Sequence, residues 1–238
     1  MAGVIKVGEP DTKYNKWMQW FIPEIRDEYY QVPRVYEDKT VFVIGGGPSL
    51  NHMNLKPIHD RPVVGCNNAY ELGTWVDWII FADKRWWGWN YEKVERWQNR
   101  DRVICLVPQL LDDQQRWPFL KFVRRDEARF GLSVEQDTIC WNRGCGGAAI
   151  NLAYLLGARR IVLLGFDMRM VEGKHNWHDN HKHEERPKIY QNSMVPFLKP
   201  MSDAMKVTGL QIVNCTPKSA LNVFALESLD VVLNEWKW

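Results

Sequence analysis

The segment TVFVIGGG, residues 40–47, constrains this chain more than any other: an apolar run ends in three glycines. A strand without a polar face has to be covered on both sides, as in parallel sheets, and the glycines mark a tight turn at its end. The pattern repeats. PVVGC (62–66), DWIIFA (77–82) and DRVICLV (101–107) read as three more buried strands, with RRIVLLGFD (159–167) and QIVNCT (211–216) further on. GGAAINLAYLLGA (146–158) reads as a helix of small and apolar residues. KIYQNSMVPFLKPMSDAMKVTG (188–209) reads as another, expected to kink or break near Pro196 and Pro200. SLDVVLNEWKW at the end is compatible with a last helix. Alternating strands and helices predict an α/β fold: a Rossmann-like, doubly wound, mostly parallel sheet. The stretch from 108 to 145 reads as charged and loop-rich.

Residues 1–38 are polar and aromatic by turns, punctuated by Pro23 and Pro33. They are expected to form an N-terminal helical extension whose aromatic face, over 12–30, packs on the main domain or on a second subunit. Residues 39–238 then form one Rossmann-like domain.

Composition excludes several classes. With 45% apolar and 25% charged residues, the 238-residue chain is not generally disordered. A net charge of +2 is too small to argue for nucleic acid or an anionic membrane. No apolar run approaches the ~20 residues of a membrane span, and MAGVIKVGEP lacks the apolar centre of a signal peptide. Cys66, Cys105, Cys140, Cys145 and Cys215 form no CxxC pair, a reduced, cytoplasmic pattern. Trp86, Trp87 and Trp89 crowd one stretch; they suit either core and subunit contacts or a stacking platform for a sugar or base.

In a doubly wound sheet the ligand sits where loops diverge at the carboxyl ends of the strands. Four groups of residues stand out there. The turn Gly45-Gly46-Gly47-Pro48-Ser49 would let a backbone approach a ligand closely, and Ser49 would cap a following helix whose N-terminus favours an anion. It fits neither the Walker nor the dinucleotide spacing, and a plain strand–helix turn would look the same. Asn67 and Asn68, Asp83 and Lys84, and Asp167 follow successive strands and suit hydrogen bonds to a ribose or base edge. Asn142-Arg143-Gly144-Cys145-Gly146-Gly147 opens the apolar helix, as a second anion site or as close helix–sheet packing.

The fourth group is a loop, 175–183, that holds four of the six histidines. A metal site, a proton-exchanging loop over a phosphate, and a solvated polar loop all fit that composition.

In this order VIGGGPSL, CNNAY, NRGCGG with its helix, GARRIVLLGFDM and NCTPKSALNVF resemble the bacterial lipo-oligosaccharide sialyltransferases. They resemble equally the related domain of motility-accessory proteins and the 6-hydroxymethylpterin diphosphokinases. Gly173-Lys174-His175-Asn176-Trp177-His178, soon after Gly165-Phe166-Asp167, is similar to a phage-encoded branch of the same group. The likeness covers residues 40–225.

It implies a nucleotide held by Gly45, Gly46, Gly47, Ser49, Asn67, Asn68, Asp83, Gly144 and Cys145, with Arg169 and His175 at two phosphate-contacting positions. At the positions of Gly46 and Asp83 the sialyltransferases carry asparagine, and at that of Cys145 a serine. Their catalytic histidine falls among Tyr190 to Asn192, where this chain has none. His178 or His181 is therefore the expected base.

The expected function is transfer from a nucleotide-activated donor of the CMP-sugar type, with no cofactor required and with a glycan, small molecule or modified nucleobase as acceptor. The alternatives are a Mg²⁺-dependent diphosphokinase, with Asp83, Asp167 and Asp179 as ligands, and a non-catalytic nucleotide-binding phage protein. A cytoplasmic setting (the host's, if phage-encoded) and a possible homo-oligomer complete the expectations.

Overall fold

A computed structural model describes residues 29–179 and 188–236. Among these, eight strands form one sheet in the order β10-β9-β8-β1-β2-β3-β4-β5, every neighbouring pair parallel. They are β1 (Thr40–Ile44), β2 (Val63–Cys66), β3 (Trp78–Phe81), β4 (Val103–Cys105), β5 (Leu120–Phe122), β8 (Arg160–Leu164), β9 (Gln211–Asn214) and β10 (Ala225–Leu226). A separate parallel pair joins β6 (Arg124–Asp126) to β7 (Thr138–Cys140). The chain winds outward from β1 to β5, then returns to lay β8 against the other edge of β1. That reversal makes the fold doubly wound, as expected.

Alternation along β1 divides the core. Val41 and Val43 face α2 (Cys145–Leu155), whose Ala148, Ala149, Leu152 and Ala153 are fully buried against the sheet. Phe42 and Ile44 face the opposite layer, which holds α1 (Lys84–Glu95). There Trp87 stacks on Phe81 with ring centroids 5.1 Å apart, and Trp86 donates from its indole to Asn68 Oδ1 at 2.7 Å. Both tryptophans are buried, so this pair is core, while Trp89 on the same helix is exposed.

Two expectations change. The helix expected over 188–209 does not break at its prolines: α3 (Val195–Thr208) runs through Pro196 and Pro200. The irregularity lies upstream, where Tyr190–Met194 form a wider π turn. A proline ring clashes with the carbonyl four residues back, and the widened turn relieves that for Pro196. The stretch 108–145 is not all loop, since β5, β6 and β7 lie in it. A short helix, α4 (Leu229–Glu235), comes last, capped by Ser228, which accepts from the Val231 N–H.

Of the segment 12–30, expected to be helical, residues 12–28 lie outside the described residues, and 29–30 are not helical. Residues 29–38 run along the domain, with backbone bonds from Tyr30 to Phe122, Val32 to Gln136 and Tyr36 to Leu156. Among the described residues no helix is long and apolar enough to cross a membrane.

The β6–β7 layer hangs on Asn151, which is fully buried on α2. Its amide oxygen accepts from the Ser133 and Cys140 N–H groups at 3.0 and 2.9 Å, and its nitrogen donates to the Ser133 carbonyl at 3.1 Å. Alanine there would strand three buried backbone groups. Asn151→Ala is expected to lower the unfolding free energy by about 3 kcal/mol or more in denaturant titration; a loss below ~1 kcal/mol would contradict this reading of the layer.

Candidate functional site

The reversal between β1 and β8 opens a cleft of about 1150 Å³ at the carboxyl ends of the strands. Its floor is the pair of turns that follow those strands. Gly45 donates to the Leu164 carbonyl and Gly47 to the Gly165 carbonyl, each at 2.8 Å. A Cβ on Gly45 would lie 2.5 Å from the Gly165 oxygen, and one on Gly47 would lie 1.8 Å from Asp167 Oδ2. Nothing larger than glycine fits these positions. The β8 turn is tied down on its other side: Phe166 N–H donates to Thr216 Oγ1 at 2.8 Å and Ala220 N–H to the Asp167 carbonyl at 2.8 Å. The NCTPKSA segment thus braces the cleft from behind.

Gly45, Gly46, Gly47, Asn67, Asp83, Gly144, Cys145, His175 and His178 all line this cleft. The sequence brings them from turns after β1, β2, β3 and β8 and from the start of α2. The Asn67 Oδ1 and Asp167 Oδ1 atoms are buried without hydrogen-bond partners among the described residues. At Gly144, the N-cap of α2, no side chain caps the helix, and a Cβ there would meet only Met194 Cε, at 4.0 Å. The first N–H groups of α2 are therefore open toward the cleft. Burial pushes the Cys145 thiol up to about 11, against the pull of Arg125.

Other residues are placed differently. Ser49 does not cap a helix. Pro48–His52 is only a five-residue 3-10 turn, and Ser49 is buried in it, donating to Asp167 Oδ2 at 2.8 Å. That turn is too short for a helix dipole, so the anion argument made for it fails. Asn68 is buried and occupied by the Trp86 indole, behind the cleft. Asp83 caps α1, accepting from the Arg85 N–H at 2.8 Å, and pairs with the Arg85 guanidinium at 3.1 Å. Arg169 is turned to the Lys218 and Met170 carbonyls, at 2.8 and 3.2 Å, and is not part of the lining. His181 lies outside the described residues.

The histidine loop is fastened to the glycine turn. Trp177 N–H donates to the Gly46 carbonyl at 3.0 Å, and Asn51 Nδ2 to the Trp177 carbonyl at 2.9 Å. His178 is half-buried, and burial holds its pKa below the ordinary histidine value, against the opposing charges of Glu71 and Asp179. His175 Nδ1 lies 2.9 Å from the Tyr190 hydroxyl.

Sequence reasoning missed Arg125, which lines the cleft from β6. Its guanidinium lies 4.1 Å from the Trp141 ring centroid, pairs with Glu127 at 2.6 Å and donates to the Ala82 carbonyl at 3.3 Å. No motif surrounds it, so nothing short of the fold would have singled it out. Among the described residues no three His, Cys, Asp or Glu side chains gather as a metal cage. The three carboxylates the diphosphokinase reading needs all line the cleft, but each has a protein partner: Asp83 caps α1, Asp167 holds Ser49, and Asp179 pairs with Lys174 at 3.1 Å.

The chain matches no family model and no curated protein. Among solved structures it superposes on the sialyltransferase CstII from Campylobacter jejuni in complex with cytidine-5'-monophosphate, with a TM-score of 0.53 and 15% identity over 80% of this chain and 85% of that one. The two share a fold. CstII with a trisaccharide acceptor and CMP gives a TM-score of 0.50 at 14% identity, over 79% of this chain and 86% of that one. The MAf glycosyltransferase from Magnetospirillum magneticum AMB-1 gives 0.59 at 13% identity, over 88% of this chain but 36% of that larger one. The α/β Rossmann-like sheet is thus a fold shared with these proteins.

The glycines separate into two kinds. Gly47→Ala forces a Cβ into Asp167 and is expected to lower the thermal midpoint by several degrees, on the order of 2–4 °C for each kcal/mol lost. Gly144→Val points into open space and should leave the midpoint unchanged within about 1 °C. Equal midpoints for the two variants in calorimetry would contradict the packing described.

Proposed function

We propose that the chain is a transferase acting on a nucleotide-activated donor, a glycosyltransferase with a donor of the CMP-sugar type. The observation that carries the reading is the cleft itself: it lies at the sheet's reversal, with glycine turns, unpartnered Asn67 and Asp167 oxygens and the uncapped start of α2 converging on it. The fold shared with a CMP-bound sialyltransferase supports the choice of nucleotide.

In this proposal Asn67 accepts from the base or sugar, and the backbone at Gly45, Gly46, Gly47 and Gly144 approaches the phosphate. The α2 N–H groups and His175 stabilise the phosphate as it leaves. A monophosphate leaving group carries less charge than a diphosphate and needs no bridging metal. The acceptor hydroxyl attacks the anomeric carbon while a base takes its proton. His178 suits that task because burial keeps its imidazole neutral near pH 7. His181 is the alternative base. Ser49 and Asn68 act from behind the site, by fixing Asp167 and α1. Arg169 would join the phosphate only by releasing its two carbonyls.

Calorimetric titration with CMP, CDP, UDP and ATP, with Mg²⁺ and with EDTA, tests the donor class. Cytidine nucleotides are expected to bind in either condition, and Gly144→Val to weaken them at least tenfold by filling the approach to the phosphate, roughly 1.4 kcal/mol. No binding of any nucleotide at millimolar concentration would sink the proposal. Strictly Mg²⁺-dependent binding with a preference for ATP would favour the diphosphokinase.

The base assignment has its own signature. His178→Ala is expected to depress turnover about 10²–10⁴-fold while nucleotide affinity changes little. Because the neutral form is the active one and its pKa is lowered, wild-type kcat/KM should fall only as pH drops through a value below the ordinary histidine range. A limb centred above that range would assign the base elsewhere.

A further inference from the structure

Tyr190 carries a role that the sequence does not suggest. It stands in the π turn ahead of α3 and lines the cleft facing His175. The two rings lie 5.6 Å apart between centroids, tilted by 36°. The tyrosine hydroxyl lies 2.9 Å from His175 Nδ1, where the tautomer decides which atom donates, and 3.3 Å from the His175 backbone carbonyl, which can only accept. A hydroxyl owns one proton. Given to Nδ1, it leaves the ring proton on Nε2; given to the carbonyl, it requires Nδ1–H to donate to the phenol, and the shorter contact favours the first arrangement.

We propose that Tyr190 is a positioning residue: by donating to His175 Nδ1 it fixes the proton of the neutral imidazole on Nε2 and so turns that atom into a hydrogen-bond donor for a phosphate monoester in the cleft. The proposal rests on the nucleotide reading of the site and deepens it. Two observations support it. His175 Nε2 is buried with no partner among the described residues. A buried N–H without an acceptor is costly, and an anionic oxygen in the cleft would satisfy it. Burial, followed by the charge of Asp167, pushes the Tyr190 phenol up to about 12, so it remains a donor at neutral pH. The second ring nitrogen of a functional histidine is commonly set by such a partner. Here the partner is a neutral phenol, which fixes a tautomer without adding negative charge beside a phosphate. A carboxylate in its place would repel the ligand.

The first measurement needs no ligand. Long-range ¹H–¹⁵N correlation spectra of the ligand-free wild-type protein at neutral pH are expected to show His175 as the Nε2–H tautomer. Tyr190→Phe, which keeps the ring and removes only the hydroxyl, is expected to abolish that bias. A Nδ1–H tautomer in the wild type overturns the proposal, even if the variant fails to fold.

The second measurement is titration with CMP and with cytidine. Tyr190→Phe should weaken CMP roughly tenfold, the worth of one charge-assisted hydrogen bond, and leave cytidine unchanged. Equal weakening of both, or of neither, would overturn the role at the phosphate. If wild-type protein bound no CMP, the nucleotide reading would fail, and inorganic phosphate would replace CMP as the probe. Phosphate affinity unaffected by Tyr190→Phe would then overturn the positioning role as well.

Discussion

The rest of the structure depends on a close contact between two turns at the carboxyl ends of β1 and β8. The Gly165 carbonyl receives the Gly47 N–H, and the same oxygen is what a Cβ on Gly45 would strike. Ser49, just beyond, donates to Asp167, just beyond the other turn. Two strands far apart in sequence are thereby locked where the sheet reverses its winding, and a crevice follows from the topology itself. Bulk on either turn would push β1 and β8 apart and widen the floor of the cleft. The glycines are therefore packing residues first, and any closeness to a ligand is a second use of the same bare backbone.

What the sequence made legible follows from this. Strands buried on both faces write continuous apolar runs, so β1, β2, β3, β4, β8 and β9 could be read directly, and so could the small-residue helix α2. Three-residue strands such as β5, β6 and β7 carry too little pattern to be separated from loop. The glycine turns, Asn67, Gly144, His175 and His178, singled out in the sequence, line one cleft. Ser49 and Asn68 bond instead to Asp167 and the Trp86 indole, 118 and 18 residues away, and no local pattern announces such partners. A polar residue at a strand end looks the same in sequence whether it faces a ligand or supports a neighbour. Arg125 was missed for the converse reason: it reaches the cleft from a segment with no periodicity at all.

The histidine loop shows how one composition yields different chemistry at successive positions. Mutual repulsion among nearby imidazoles predicts that some stay neutral. Burial singles out His178 and draws its pKa down. His175, three residues earlier, meets a phenol and acquires a directional partner. Trp177 separates them, and its backbone is held at both ends, by Gly46 and by Asn51. The loop's order is therefore borrowed from the β1 turn, and a disturbance of that turn would reach both histidines.

The charges around the cleft bear on how an anion would be recognised there. Arg85 is paired with Asp83, Lys174 with Asp179, and Arg125 with Glu127. These three are thus largely neutralised by their own neighbours, and the exposed pairs at Asp83 and Asp179 contribute about 1 kcal/mol or less. Lys84 and Arg143 also line the cleft and form no ion pair among the described residues. Lys84 and Arg143 can draw an anion toward the cleft, but point charges of that kind do not orient it. Directional groups do that: the first N–H groups of α2 and an imidazole nitrogen with no partner among the described residues. Such donors are fixed before a ligand arrives and lose little freedom when it binds. They reward a tetrahedral anion in one position and discriminate poorly between anions that differ only in charge. Under the proposed reading, the cleft distinguishes its donor by where the phosphate sits relative to the base, and that distance is set by the β1–β8 contact rather than by any cation on the rim.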